Sequence, residues 1–394
     1  MVFAAAGLAI ALGGGDEVRL DVDHDVIHVV AELTLILVLF SDAARIDVRR
    51  VRADHDLPVR MLLLGLPLTI ALGAVFATFM FPAFSLWEAA LLAALLAPTD
   101  AALGQSVVTS PAVPLRVRLA INIESGLNDG IALPAVLMLA ALASAASSDA
   151  ASGHWLVFAA KQMGLGPVAG VAVGFLGARL IDRAATRGWA TAPFQGVGIL
   201  TLSVFSYVVA ELIGGNGFIS AFVAGVVLGN SVRNECHFLF EFMESEGQLL
   251  TLITFLVFGA ALLPEGLSSL QAAHVLYAVL SLTVIRMLPV AVSLIGSKVQ
   301  LPTCLFLGWF GPRGLASILY VLLILDESAV PHRDEILSVT VITVGLSILL
   351  HGVTAGPFAR IYGRFADGMG DGKEMSPVPD MPLRAGAKSA TTDR

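Results

Sequence analysis

Charge is what this chain of 394 residues has least of: Asp, Glu, Lys and Arg make up 14% of it, against about 25% in an ordinary soluble domain. That deficit, with 57% hydrophobic residues and a mean hydropathy of +0.85, excludes a water-soluble globule. Basic residues are outnumbered, 23 against 31 acids for a net charge of −8, so a nucleic-acid partner, which requires a basic footprint, is excluded too. Cysteine is almost absent. Cys236 and Cys304 stand far apart without C-x-x-C spacing, which argues against a disulfide framework or a zinc site and leaves two small buried hydrophobes. A phosphate-cradling G-x-x-x-x-G-K-[ST] loop is missing, so nothing calls for ATP or a metal cofactor. The apolar start, Met1 to Leu12, lacks the basic n-region and cleavage site of a signal peptide and reads as a short first helix.

What the chain does have is long apolar runs, near 1–13, 27–46, 60–81, 86–109, 115–145, 155–182, 192–213, 216–231, 246–264, 272–296, 302–325 and 334–360. A bilayer crossing takes about 20 apolar residues. The runs therefore predict an all-α polytopic membrane protein of about twelve transmembrane helices, a single transporter domain over residues 1–365. From 366 to 394 the chain turns polar and rich in Gly, Pro and Lys, and reads as a short disordered tail.

Basic residues collect on alternate connections: Arg45, Arg49, Arg50, Arg52 and Arg60; Arg116 and Arg118; Arg179, Arg183 and Arg187; Arg233; Lys298; Arg360 and Arg364. The loops between them hold only Arg19 and Arg333, with Lys161 just inside a helix. A wrong helix count would scramble this alternation. The positive-inside rule then predicts a multi-pass cell-membrane protein with both termini cytoplasmic, as the chain stands.

Two runs are interrupted in mid-membrane, the fourth by Ala97-Pro98-Thr99-Asp100 and the eleventh by Gly311-Pro312-Arg313-Gly314. Proline removes a backbone donor and clashes with the preceding turn, and glycine tolerates unwinding. Seven positions in helix order separate the two, so they cross in opposite directions. Paired broken segments in inverted halves point to a secondary transporter with a midplane site.

A charge at the bilayer centre costs from about 2.5 to more than 10 kcal/mol, which makes each one a candidate functional residue. The interior candidates are Asp42, Asp100, Glu124, Asp129, Arg286 and Arg313, with Glu32 and Glu211 nearer the ends of their helices. Acids outnumber bases there, so protons or metal cations must neutralise the excess. The densest cluster is Asn122-Ile123-Glu124-Ser125-Gly126-Leu127-Asn128-Asp129. Ser125 and Asp129 are four apart and share a strip of the helix, where they can offer oxygen to a hard monovalent ion; Glu124 and Asn128 share the adjacent strip. Two ionised carboxylates on one turn repel strongly in low dielectric. Pairing Glu124 with Arg286, the only base in the middle of the tenth helix, leaves Asp129 as the titrating group. Asp100 and Arg313 stand beside the breaks and can compensate the partial charges of the half-helix ends, and the unwound backbone frees carbonyls for a cation. Asp42 reads equally as a pathway carboxylate or an interfacial anchor, and His351 as a packed or interfacial histidine.

Glu124-Ser125-Gly126-Leu127-Asn128-Asp129-Gly130, Ala97-Pro98-Thr99-Asp100, Gly217-Phe218-Ile219-Ser220-Ala221-Phe222-Val223-Ala224-Gly225 and Trp309-Phe310-Gly311-Pro312-Arg313-Gly314 resemble the signature stretches of the NhaP-type sodium/proton antiporters, bacterial relatives of the animal sodium/proton exchangers. The resemblance runs from Met1 to about Phe365. It implies inverted repeats with two crossing broken helices, and a homodimer in which ion-handling helices move against a dimerisation layer. Asp129 is implied as the carboxylate shared by ion and proton, Asn128 as its neighbour in the electroneutral branch, and Ser125 and the Thr99 carbonyl as further ligands. Glu124 with Arg286 resembles the family's structural pair, and Asp42 matches a pathway carboxylate. The chain departs from the family in showing twelve helices rather than thirteen, the first being the one without a counterpart, in Gly126, and in lacking a long regulatory tail.

These readings lead to one expected activity: electroneutral exchange of sodium, with lithium possible, for a proton by alternating access, with the lipid bilayer as its surroundings and no catalytic residue. A potassium/proton antiporter is the alternative. An intramembrane aspartyl protease built on Asp129 and Asp100 is a remote one, and it leaves Glu124, Asn128 and Arg286 without a task.

Overall fold

The computed structural model describes residues 1–13, 24–46, 48, 56–100, 103–146, 153–189, 191–232, 237–327, 329–368 and 373–375, which form helices and turns with no strand among them. Arg19, Arg49, Arg50, Arg52, Arg233 and Cys236 lie outside the described residues. The uninterrupted helices are α1 (Val2–Gly13), α2 (His24–Arg45) and α3 (Asp56–Met80). The fourth run splits into α4 (Leu86–Leu95) and α5 (Gln105–Val108). Then come α6 (Leu115–Ala146), α7 (Gly153–Thr186), α8 (Ala192–Leu212), α9 (Gly217–Ser231) and α10, which runs His237–Val257 and on through Leu263–Ser268. After α11 (Ala272–Ser293) the eleventh run splits into α12 (Leu301–Trp309) and α13 (Leu315–Glu327), and α14 (Arg333–Asp367) closes the bundle. Every apolar run thus carries helix. By length and composition alone, six helices among the described residues are long and apolar enough to cross a membrane, among them α3, α11 and α14.

Proline placement explains the irregularities. Pro98 and Pro312 fall in the gaps of the two broken helices. In α3 and α10 the backbone instead widens by one turn, at Met61–Gly65 and Phe258–Leu262, and each wide turn is followed two residues later by a proline, Pro67 or Pro264. A proline that cannot donate to the preceding turn lets that turn expand without breaking the helix.

The helices form two layers. In one, α9 packs against both α7 and α2, with α8 alongside. Small residues set this seam: a Cβ added at Gly170 or Gly174 of α7 would strike the α9 backbone at Ser220 and Ala224, and one at Gly225 or Gly229 of α9 would strike the α2 carbonyls of Phe40 and Ala44. Close backbone approach of this kind is how helices associate where lipid removes the hydrophobic drive. The second layer holds α3, α4, α6, α11 and α14 around the two breaks, and α2 and α7 lean on it through α6 and α13.

Hydrogen bonds join connections that the sequence alternation groups together. Arg60 Nη1 donates to the Ile295 carbonyl at 3.0 Å, and Val48 N donates to Asn230 Oδ1 at 3.1 Å. At the opposite ends of the helices, Glu88 Oε1 accepts from His332 N at 3.0 Å and lies 2.8 Å from His332 Nδ1. The tail expected from residue 366 requires correction. α14 continues through Asp367, and Lys373–Met375 forms a short turn. Its Glu374 is buried, with Oε1 accepting from Gln300 N at 2.6 Å and Thr303 Oγ1 at 2.9 Å. The free N–H groups of a helix start, here α12, give a carboxylate a reason to order. Residues 376–394 lie outside the described residues.

The glycine seam carries a direct test. Gly225→Val places branched carbon against the Phe40 carbonyl and should lower the melting temperature in detergent, at an overpacking cost of about 1–3 kcal/mol. Gly198→Ala, on an exposed part of α8 with open space around its Cβ, should leave it unchanged or slightly higher. Equal melting of the two variants would remove the seam from the account.

Candidate functional site

Each broken helix exposes ends that need partners, and each supplies them to the other. Asp100 N donates to the Pro312 carbonyl at 2.8 Å, which bonds one gap to the other directly. Arg313, fully buried, sends Nη1 back to the carbonyls of Ala97 and Pro98 at 2.6 and 3.2 Å, just past the C-terminus of α4. In return, Asp100 Oδ2 accepts from Leu315 N at 3.0 Å, the first residue of α13. A cation therefore meets the negative end of one half-helix and a carboxylate the positive end of another. The glycines of Gly311-Pro312-Arg313-Gly314 make room for this, since a Cβ at Gly314 would collide with the Asp100 carboxyl and one at Gly311 with the Arg286 guanidinium.

α6 lies against this crossing and brings the acidic cluster to it. Glu124 and Arg286 form a buried ion pair, with Arg286 Nη2 2.7 Å from Glu124 Oε1 and 2.8 Å from Oε2. Both side chains are about 1–2% exposed, so the pair is closed to solvent. Beside it on α6, Ser125 Oγ donates to the Thr99 carbonyl at 2.6 Å, and one turn on Asn128 Nδ2 donates to Thr99 Oγ1 at 2.5 Å. Thr99 is thus held from both sides by α6, one residue before Asp100.

Two oxygens are left over. Asn128 Oδ1 and Asp129 Oδ1 are buried and have no hydrogen-bond partner among the described residues. Asp129 also has Asp42, Asp100 and Glu124 close enough to act on its charge. An unpaired polar atom in the interior is costly, and adjacent orphaned oxygens on one helix are what a proton or a small hard cation satisfies. Ser125 Oγ and the Thr99 carbonyl keep lone pairs within the same cluster. Asp42, half-buried near the end of α2 in the other layer, is near enough to Arg45, Asp100 and Asp129 for their charges to act on one another. Glu211 is spent elsewhere, accepting from Gly217 N at 2.8 Å at the start of α9, and Glu32 lies away from this cluster on the first half of α2. Among the described residues no group of His, Cys, Asp and Glu has the arrangement of a metal-holding cluster.

Some participants carry no sequence signal of their own. Tyr320 Oη donates to the Asp129 backbone carbonyl at 2.9 Å, tying α13 to the turn of α6 that bears the orphaned oxygens. Ser347 Oγ accepts from Arg313 N at 2.7 Å and is itself 3.3 Å from His351 Nδ1. Tyrosine, serine and histidine in apolar helices are common packing residues, and only the fold brings these three to the breaks.

Comparison with known proteins gives the family and the fold. The family model "Sodium/hydrogen exchanger, transmembrane" matches residues 1–361. The chain is similar to a protein named K(+)/H(+) antiporter NhaP2 from Shewanella sp. (strain MR-4), 24% identical over 362 residues and covering 92% of this chain. The match spans 62% of that relative's length, so this chain corresponds to less than two thirds of it. It is also similar to a Na(+)/H(+) antiporter NhaP from Pseudomonas aeruginosa, 28% identical over 348 residues, 82% of this chain and 78% of the relative. The solved structure of the sodium proton antiporter MjNhaP1 from Methanocaldococcus jannaschii at pH 8 superimposes with a TM-score of 0.74, covering 91% of each chain at 18% identity; it shares the polytopic helical membrane fold.

The Glu124–Arg286 pair yields a thermodynamic cycle. Glu124→Gln or Arg286→Met alone strands a buried charge and should destabilise by about 3–5 kcal/mol. The double variant should recover part of that loss, read as thermal melting in detergent. Additive losses would show that the two side chains do not depend on each other.

Proposed function

Because the chain belongs to the sodium/hydrogen exchanger family, we propose that it is an antiporter exchanging one monovalent cation, sodium with potassium as the alternative, for one proton by alternating access. The observation that carries this reading is the pair of buried oxygens on Asn128 and Asp129, unpartnered among the described residues, at the crossing of two broken helices. Asp129 is the shared group. Ionised, it holds the cation with Asn128 Oδ1, Ser125 Oγ and the Thr99 carbonyl; protonated, it returns empty, because a bare carboxylate is costly to carry through a closed state. Competition for one carboxylate couples the two fluxes, and no chemical bond of a substrate changes. Asp42 serves the ion's pathway from the facing layer, Glu124 and Arg286 hold α6 to α11, and Asp100 and Arg313 compensate the broken ends.

The proposal extends to a homodimer in the cell membrane, residues 1–365 forming the transporter and both termini cytoplasmic, in line with the basic connections. The protease alternative has nothing to recommend it, since the carboxyl of Asp100 is engaged by Leu315 N. Exchange is electroneutral on this reading: the residue beside Asp129 is Asn128, which carries no proton, and Glu124 is occupied by Arg286.

Purified protein in vesicles with an internal pH dye tests the proposal. Sodium added outside should move protons, potassium should do so less, and Asp129→Asn should abolish the movement while the protein still elutes as a folded species. Appreciable residual exchange in that variant would put the shared site elsewhere. A larger response to potassium than to sodium would reverse the choice of ion.

Charge balance and pH are tested in the same vesicles. An imposed membrane potential should leave the initial rate unchanged. Apparent affinity for sodium should weaken as pH falls, because protons compete for Asp129, and the rate should fall again at alkaline pH as protons become scarce. A rate rising steeply with potential would add a second titrating carboxylate, Glu124 or Asp42, to the cycle.

A further inference from the structure

The two layers meet differently at the two ends of the bundle. α2 ends and α6 begins at the basic connections, with Arg45 and Arg116. Toward that end each layer has an apolar cluster of its own. Phe40 and Ala44 of α2 share one with Ile199 of α8 and Leu228 of α9, and Met61 of α3 shares another with Val117 of α6, Phe306 of α12 and Tyr362 of α14. Toward the opposite end one cluster contains both layers: Ala31 and Leu35 of α2 and Ile219 of α9 belong to it together with Leu133 of α6 and Leu319 of α13. Along α6, Asp129 falls between the two kinds of packing, after Ile121 of the separate cluster and before Leu133 of the shared one.

A single strip of α6 shows where the change occurs. Asn122, Gly126 and Gly130 follow at steps of four and share a face. Asn122 is exposed, Gly126 and Asp129 are half-buried, and Leu133 is fully buried. A Cβ added at Gly126 would meet, among the described residues, Ile46 of α2 alone, at 3.9 Å, which is ordinary contact. One added at Gly130 would collide with the tip of the Phe222 ring, which comes from α9. Phe222 is half-buried and packs against the shared cluster, so its ring rests on the backbone beside Asp129 as the innermost part of that packing. Tyr320 Oη holds the same turn through the Asp129 carbonyl at 2.9 Å. Pro134, inside α6, has no N–H for the Gly130 carbonyl, so the turn under the ring lacks one helical hydrogen bond.

We propose that Phe222 is the gate residue of the layer facing the site: seated on Gly130, it closes the passage along α6 immediately beyond Asp129, while the approach along Asn122 and Gly126 serves the ion from the basic end. This rests on the antiporter reading and adds to it the side chain that must move. Displacing one layer against the other lifts the ring from Gly130, and the bare backbone at Gly126 lets Ile46 close over the opposite side. Phe222 contributes no ligand. It is a positioning residue, and its loss leaves Asp129 reachable from both ends at once.

A gate differs from a packing residue in what its loss does to coupling. In vesicles, isotopic sodium entry and proton exit are measured together, with and without an imposed membrane potential. Phe222→Ala should pass sodium without a returning proton, so that sodium entry per proton rises at least about threefold over wild type and increases with potential. Gly130→Ala pushes the ring off its seat and Phe222→Leu shortens it, so each alone should leak. Together they refill the contact, and the double variant should leak less than either single one. Single variants that are slower but keep the wild-type ratio of sodium to protons overturn the gate and leave the antiporter intact. A double variant that leaks as the worse single one does overturns the seat on Gly130.

Wild-type vesicles that move no protons with any alkali cation overturn the antiporter instead. The gate is then decided in detergent, in protein with Cys236 and Cys304 replaced by serine, by the rate of reaction with a water-soluble maleimide. Gly126→Cys should react with or without the Phe222 ring. Leu133→Cys should be protected beside Phe222 and react at least about tenfold faster when Phe222→Ala is added. Equal rates for Leu133→Cys with and without the ring refute the inference.

Discussion

Everything at the centre of this protein depends on one constraint: two helices stop in mid-membrane, and their ends have to be satisfied without water. An unpaired carbonyl or N–H in hydrocarbon costs several kcal/mol, and two broken helices present both kinds. The solution is reciprocal. Arg313 from one break reaches the carbonyls of Ala97 and Pro98 in the other, and Asp100 from that other break reaches Leu315 N. A buried arginine without a carboxylate would be prohibitive alone, as would a buried aspartate without a base. Placed at half-helix ends of opposite sign, each is balanced by partial charges that the fold already supplies. The glycines of the second break follow from the same requirement, since the charged groups occupy the volume where Cβ atoms would stand.

The remaining acids divide by what they are bound to. Glu124 is matched by Arg286 at salt-bridge distance, whereas Asp129, five residues along the same helix, keeps one oxygen unpartnered among the described residues. In the proposed exchanger, two carboxylates of similar chemistry thereby take different tasks. A saturated one is structural, and an unsaturated one is open to whatever cation or proton arrives. Asn128 extends the contrast, since its amide nitrogen is committed to Thr99 Oγ1 while its carbonyl oxygen is left over.

What could be read from the amino-acid sequence was whatever is local or unique. The apolar runs, and Pro98 and Pro312 within them, are local properties of the chain, and the helices and their gaps lie where those residues are. Arg286 was legible as the partner of Glu124 because no other base stands in the middle of its helix. The cross-compensation of the breaks was not legible in detail, because Arg313 and Ala97 lie 216 residues apart and no pattern in either segment names the other. Ser347 and Tyr320 escaped for a related reason: their residue types are at home in any packed helix, as the reading of His351 as a packed or interfacial histidine also reflects. Glu374 was misread with its polar neighbours as part of a tail, although a single carboxylate docking on a helix start needs no hydrophobic company.

The bonds around the site close on themselves. From Glu124 on α6 the path runs through the ion pair to Arg286, whose guanidinium lies over Gly311 in the second break. From there it passes through Pro312 to Asp100 N in the first break, then to Thr99, and through Ser125 and Asn128 back to α6. A ring of this kind resists deformation at any single point, because opening one bond exposes a charge or a helix end that the others were placed to cover. The layer of α2, α7, α8 and α9 is held together by a different device, the glycine seam, and brings Asp42 toward the ring from outside. In the proposed exchanger, the lower-cost motion is therefore displacement of one layer against the other, which would change the route to Asp129 while leaving its partners in place.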